Sequence, residues 1–346
     1  MGHFGGHFGT VPLAGILAEG RITRADVERL RLEFRVAGIG TADEAEALVV
    51  LDGATTDRDP AWPLFLAEAL AEYIVRTAAP EGYVSAANAR WLLDRMAPGG
   101  RIASKTMLDV VLRVLASARW VPIGLALAAM EAVRLAVVEG RGPLRDGGDL
   151  PAGRITARDV EILRGILYAF AGYGYVPLTR DEAKLLAAID DATAVGTPNA
   201  DWIDLYVKAM ANAALSASGY GIGSRERALA RSAPTADGDD RQSATALRRM
   251  MLAGGYGDVL DDYAPLSVED RTLARLERQR VEIITGEEIQ PVDPDWLAAR
   301  IGRGEAASVA TAALADLLAV ARDRLGGPLA AAIECRQTLS PRPVAA

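Results

Sequence analysis

Apolar residues recur along this chain at helical spacing. In RITRADVERLRLEF, Val27, Leu30 and Phe34 share one face at i, i+3 and i+7, while Asp26, Glu28 and Arg29 fall elsewhere. No run of strict apolar–polar alternation marks a strand. Start signals stand at the expected places. Thr23 and Thr156 precede apolar runs with Asp26 and Asp159 three residues on, and Thr41 and Thr179 do so with Glu44 and Glu182. Ser85, Asn88, Ser104, Ser224 and Ser267 are further helix starts. The fold class this predicts is all-α, with short glycine-containing turns such as AGIG (37–40) between antiparallel helices. The most apolar segment, Val121 to Val138, contains Glu131 and Arg134; it is too short and too charged to span a bilayer and reads as a buried helix.

The pattern repeats. RITRADVERLR at 21–31 returns as RITARDVEILR at 154–164, with eight of eleven positions identical. TADEAEALVVLDGAT (41–55) is echoed by TRDEAKLLAAIDDAT (179–193), and the PAW of 60–62 by the NADW of 199–202. NARWLLDRM (88–96) is followed more loosely by PDWLAARI (294–301) and AALADLLAVARDRL (312–325). The expected organisation is therefore a tandem duplication of a helical bundle. It comprises a flexible Gly-rich N-terminus (1–20), unit 1 (21–140), a linker (141–153), unit 2 (154–330) with a helical insertion at about 219–290, and a C-terminal tail (331–346). Trp62 and Trp202 are expected to be buried anchors where the third helix of each unit docks.

Composition narrows the function classes. Of 346 residues 50% are hydrophobic and 24% charged, ample for a packed core. A net charge of −8, with acids and bases interspersed, gives no electrostatic footprint for nucleic acid. The single cysteine, Cys335, excludes an intrachain disulfide and has no histidine at hand to activate it. MGHFGGHFG lacks the basic and apolar regions of a secretory signal, so the expected compartment is the cytoplasm, with no membrane span.

Site chemistry is sparse. The two histidines, His3 and His7, lie in a tandem GHFG, where the glycines oppose a helix that would align them. A structural zinc set is excluded by the lack of ligands. DRDPAWPLFLAE (57–68) has acids at the first, third and twelfth positions of a calcium loop but Trp62 where the sharp turn needs glycine. Gly219, Gly221 and Gly223 precede Ser224, Arg225 and Arg227, but no strand precedes them, so a dinucleotide loop fails. Glu44 and Asp52, like Glu182 and Asp190, lie eight residues apart, about 12 Å along one helix face. Such pairs cannot chelate one ion directly; each acid is suited to pair with an arginine or close a helix end. In SVEDRTLARLERQR (267–280), Arg271, Arg275 and Arg278 share one helical face, offset by Glu269, Asp270 and Glu277, and suited to solvent or to an acidic protein partner.

GIGTADEAEAL and GYVPLTRDEAKLL place a glycine-containing turn, a Thr and an acid at the head of a helix. In this they resemble the helical units of the TerB-like tellurite-resistance superfamily, over about 34–51 and 170–189. The family's Asp-Gly is replaced here by Ala37-Gly38 and Ala171-Gly172. The resemblance implies a helical fold and a stress-response module in which Glu44, Asp52, Glu182 and Asp190 serve a divalent metal. No other cofactor is expected.

The leading expectation is a non-enzymatic interaction or regulatory protein. It would hold a protein partner, or a second copy of itself, through the groove between units or through the insertion, with Arg271, Arg275 and Arg278 as contacts. The rivals are the metal-binding module and an enzyme using carboxylates in the groove.

Overall fold

A computed structural model describes residues 7–8, 11–145, 148, 150–169, 178–196, 199–221, 260, 263–302 and 307–339. The fold is all-α, with two-residue strand pairs as its only sheet among the described residues. The chain divides into two compact units. One holds the residues up to Ala132 together with Ile283–Glu287; the other holds Val133–Glu282 and the residues from Glu288 onward.

In the first unit, α1 (Ala14–Glu19), α2 (Arg24–Ala37) and α3 (Ala42–Ala54) lead into α4 (Trp62–Glu72), which continues as a π turn at Tyr73–Thr77. Then come α5 (Ala86–Met96), α6 (Lys105–Ser117) and α7 (Ile123–Val138), of which the part from Val133 onward belongs to the second unit. The starts obey the predicted rule. Thr23 and Thr41 each accept from the amide three residues on, and Asp26 and Glu44 return the bond to the cap amide. Ser85 and Ser104 cap α5 and α6, and Asn88 donates its amide to Ser85 instead of capping. α4 lies against α6, and an aromatic knot forms where Phe65 meets Phe8, Phe34 and Trp62 at ring centroids of 6.1, 6.0 and 5.7 Å.

The start of the chain differs from the flexible segment expected at 1–20. His7–Phe8 (β1) pairs antiparallel with Val11–Pro12 (β2), and Phe8, Leu13 and Ile16 are buried. An aromatic ring edge-on to Phe65 holds a stretch that glycine content alone reads as loose. β3 (Arg21–Ile22) then runs parallel to β4 (Asp57–Arg58).

The second unit contains α8 (Ala157–Ala169), α9 (Arg180–Thr193) and α10 (Ala200–Ala217), then α11 (Val268–Thr285) except its last three residues, which belong to the first unit, and α12 (Pro294–Ile301), α13 (Val309–Val320) and α14 (Gly327–Leu339). α10 lies against α13, and α12 against α14. Thr156 and Thr179 begin α8 and α9 with the same reciprocal bonds to Asp159 and Glu182. β5 (Tyr220–Gly221) pairs with β6 (Ala264–Pro265). The tail expected at 331–346 is helical as far as Leu339, because Leu329 and Ile333 are buried.

The stretch expected as a linker, 141–153, is folded onto its surroundings where it is described. Pro143–Arg145 forms a 3-10 turn with Pro143 and Arg145 buried, and Gly153 donates its amide to Val137 O at 2.8 Å. Gly140 has φ 69°, and a Cβ there would sit 2.1 Å from Leu150 O, so no other residue fits the turn. The division between units falls before this stretch, between Ala132 and Val133.

Candidate functional site

The four acids expected at a metal each have protein partners. Glu44 Oε2 accepts from the amides of Gly40 and Thr41 at 2.8 and 3.1 Å. Buried Glu182 accepts from the Thr179 amide and hydroxyl at 2.8 and 2.6 Å. Burial pushes the Glu182 carboxyl above its ordinary value of 4.5, outweighing the two Thr179 bonds that favour the anion. Both residues thus serve as N3 members of capping boxes.

Asp52 and Asp190 close the far ends of α3 and α9. Asp52 Oδ1 accepts from Trp62 Nε1 at 2.8 Å and pairs with Arg58 at 3.0 Å. Arg58 also donates to the backbone carbonyls of Asp52 and Thr55, at the helix end where a cation is favoured. Asp190 is more deeply engaged. Its Oδ2 accepts from Arg300 Nη2 (2.8 Å), Ser308 Oγ (2.6 Å) and Thr311 Oγ1 (2.9 Å). Arg300 donates further to Tyr206 Oη at 2.7 Å, to the Ala187 carbonyl at 3.1 Å and to Asp191. The Tyr206 and Thr311 hydroxyls lie 3.3 Å apart.

This network joins α9, α10, α12 and the start of α13; Asp190, Tyr206, Arg300 and Thr311 at its centre are buried, and Asp191 at its edge is half exposed. Burial, then the Asp190 charge, pushes the Tyr206 hydroxyl up to about 12. Burial acts to lower the Arg300 guanidinium, but Tyr206 and the two aspartates outweigh it and hold it above its ordinary value. A neutral phenol and a permanently charged arginine are the groups of a structural lock rather than of a proton-transfer site. Trp202 is buried near the start of α10, as Trp62 is at the start of α4. Its Nε1, unlike that of Trp62, has no hydrogen-bond partner.

Among the described residues no three His, Cys, Asp or Glu side chains gather to hold a metal ion. His3, the side chain of His7, the acidic run at 235–240, and Gly223, Ser224, Arg225 and Arg227 lie outside the described residues.

The predicted basic face is on α11, inside the expected insertion. Ser267 and Asp270 form a capping box at its start, with the Ser267 hydroxyl donating to Asp270 at 2.7 Å and the Asp270 amide returning to it at 3.0 Å. Val281 and Thr285 are buried, and Arg324 holds the chain just before the helix through the carbonyls of Leu260 and Tyr263. The opposite face carries Val268, Leu273, Leu276 and Ile283 at 73, 56, 56 and 82% exposure. At 100° per residue Val268 and Leu276 lie within one quadrant, with Leu273 next to them and Arg275, Arg271 and Arg278 along one edge. All three arginines are exposed; Arg271 reaches the Ser267 carbonyl and Arg278 pairs with Glu282 at 3.8 Å. The arginine row is readable in the sequence; that the leucines beside it face solvent is not, because helical spacing alone assigns them to a core.

The first unit carries a second feature absent from the sequence reading. A groove of about 470 Å³ opens between the end of α5, the Pro98–Gly100 turn and the first turns of α7. Leu93, Leu127 and Ala128 line it, and Asp94 and Glu131 stand on it. Gly124, also in its wall, donates its amide to both oxygens of Glu287 at 3.3–3.4 Å, which seats a third carboxylate at the start of α7. Arg95 on α5 is turned away to Glu46 and stacks on Trp91.

No family model, curated protein or solved structure matches the chain.

Proposed function

We propose that the protein is a non-enzymatic interaction or regulatory module, and that α11 is the element with which it holds a protein partner. One observation carries this. α11 is eighteen residues long, yet four large apolar side chains on it, Val268, Leu273, Leu276 and Ile283, stand in solvent beside three exposed arginines. An amphipathic helix normally turns such residues to the core; apolar groups grouped outside it with arginine mark contact surfaces. The arginine row suits an acidic partner, since guanidinium pairs with carboxylate in a fixed two-pronged geometry. No helix among the described residues is long and apolar enough to cross a membrane.

The agreement of Thr23–Asp26 with Thr156–Asp159, of Thr41–Glu44 with Thr179–Glu182, and of Trp62 with Trp202 supports our reading of the body as a duplicated helical bundle. The metal reading has less support, because Glu44, Asp52, Glu182 and Asp190 already have partners that their folds require.

The test is cross-linking in the native host followed by pull-down, comparing wild type with Leu273→Glu/Leu276→Glu. The variant should keep its helical circular dichroism and lose the cross-linked protein. An identical set of cross-links from both chains refutes α11 as the contact.

A further inference from the structure

We infer that the partner of α11 is a second copy of this chain, and that its outward face docks in the acid-edged groove between α5 and α7 of that copy. The inference rests on the interaction reading above and names its occupant. The two surfaces match in kind. One is a largely apolar ridge, Val268, Leu273, Leu276 and Ile283 with Glu269 among them, edged by Arg271, Arg275 and Arg278, the last of which also pairs with Glu282 at 3.8 Å. The other is an apolar trough, with Leu93, Leu127 and Ala128 in its lining and Asp94 and Glu131 on it.

Charge decides the pairing. The chain as a whole carries −8, so copies repel one another at long range. An arginine row opposite a pair of carboxylates is the local exception that would set the register of contact. The apolar strip supplies the gain in burial. Val268, Leu273 and Leu276 stand at i, i+5 and i+8, so they fall along one side of the helix, as the anchors of a helix laid in a groove must. Eighteen residues span about 27 Å at 1.5 Å each. One such face covers less than the roughly 800 Å² per partner of a stable interface, so a single contact is weak and reversible.

Sedimentation velocity over about 1–100 µM chain, the range in which an interface of this size dissociates, tests it. Wild type should show concentration-dependent dimerisation that weakens as salt rises, since exposed ion pairs are screened. Asp94→Arg/Glu131→Arg and Arg271→Glu/Arg275→Glu/Arg278→Glu should each weaken association at least about tenfold. An equimolar mixture of the two variants should recover it, because the reversed ridge fits the reversed trough. Asp94→Arg alone, at an exposed position, gives the same direction with little risk to folding. A wild type that is monomeric throughout, or a dimer indifferent to Asp94→Arg and unrestored in the mixture, overturns self-docking. If the chain is monomeric while Leu273→Glu/Leu276→Glu still abolishes cross-links in the host, α11 serves a different protein and only the occupant is wrong. If the cross-links also persist, the interaction reading falls with it.

Discussion

Replacing Asp190 by alanine tests whether the largely buried network is the lock of the second unit. The change removes an acceptor that holds Arg300, Ser308 and Thr311 at 2.6–2.9 Å. Breaking one side of a buried ion pair costs about 3–5 kcal/mol, because the remaining charge stays buried. Arg300 would keep Asp191, Tyr206 and the Ala187 carbonyl, so the low end, about 3 kcal/mol, is expected. For a unit of this size each kcal/mol moves the midpoint by roughly 2–4 °C, giving a fall of about 6–12 °C. Asp52→Ala is the internal control. It leaves Trp62 Nε1 without its acceptor, while Arg58 is partly exposed and keeps two backbone carbonyls, so about 1–2 kcal/mol is expected. The assay is thermal and urea unfolding followed by circular dichroism, with the two units allowed separate transitions. Asp190→Ala/Arg300→Leu removes both charges and should cost less than the sum of the single changes by about 1 kcal/mol or more. An Asp190→Ala midpoint no lower than that of Asp52→Ala, or strict additivity in the double variant, refutes the argument.

Three further outcomes follow from the same geometry. Trp62→Phe should destabilise by about 1–2 kcal/mol more than Trp202→Phe in urea titrations, because only Trp62 gives up an indole hydrogen bond, to Asp52; equal losses would count against it. The Glu182 carboxyl is raised by burial, so its contribution to stability is full below its ordinary value of 4.5 and is lost as pH rises through the folded value. Glu182→Gln, which can still complete the capping box, should therefore gain midpoint relative to wild type between pH 4 and 7, and a relative loss over that range would sink the assignment. Asp159→Ala should cost about 3 kcal/mol or more, because it strands buried Arg145, which it holds at 2.8 and 2.9 Å; Asp26→Ala, whose ion partner Arg29 is exposed, should cost about 1 kcal/mol.

What was legible in the sequence was what is decided within a few residues. A threonine and an acid three positions apart close a helix start by themselves, so Thr23, Thr41, Thr156 and Thr179 were readable as caps. The all-α class follows from the same local period. Contacts across the fold were not legible. Arg300 is 110 residues from Asp190, and nothing near it in the chain marks it as a buried cation. Arg145 sits in a Gly- and Pro-rich stretch that reads as a linker, yet its guanidinium finds Asp159 and is buried there. Phe8 stands among glycines, and nothing beside it in the chain marks its burial edge-on against Phe65. The groove of the first unit needs α5 and α7 side by side, which spacing along the chain does not reveal.

The two aspartates at the ends of α3 and α9 show how similar local sequence can be given different work. Each meets an arginine that also takes a backbone carbonyl near the end of its helix. In the first unit the arginine, Arg58, comes from β4, six residues on; in the second, Arg300 comes from α12. Where Asp52 satisfies a tryptophan, Asp190 satisfies two hydroxyls and leaves Trp202 Nε1 unpaired. A long-range buried lock makes the body of the second unit stiff at the point where α9, α10, α12 and α13 meet. α11 is held differently, by the buried Val281 and Thr285 and by the Arg324 bonds just before its start. Substitutions on its outward face should thus change binding without changing the body. That separation is what a contact element on a rigid scaffold requires, and it is why the α11 variants are the sharper probe of function.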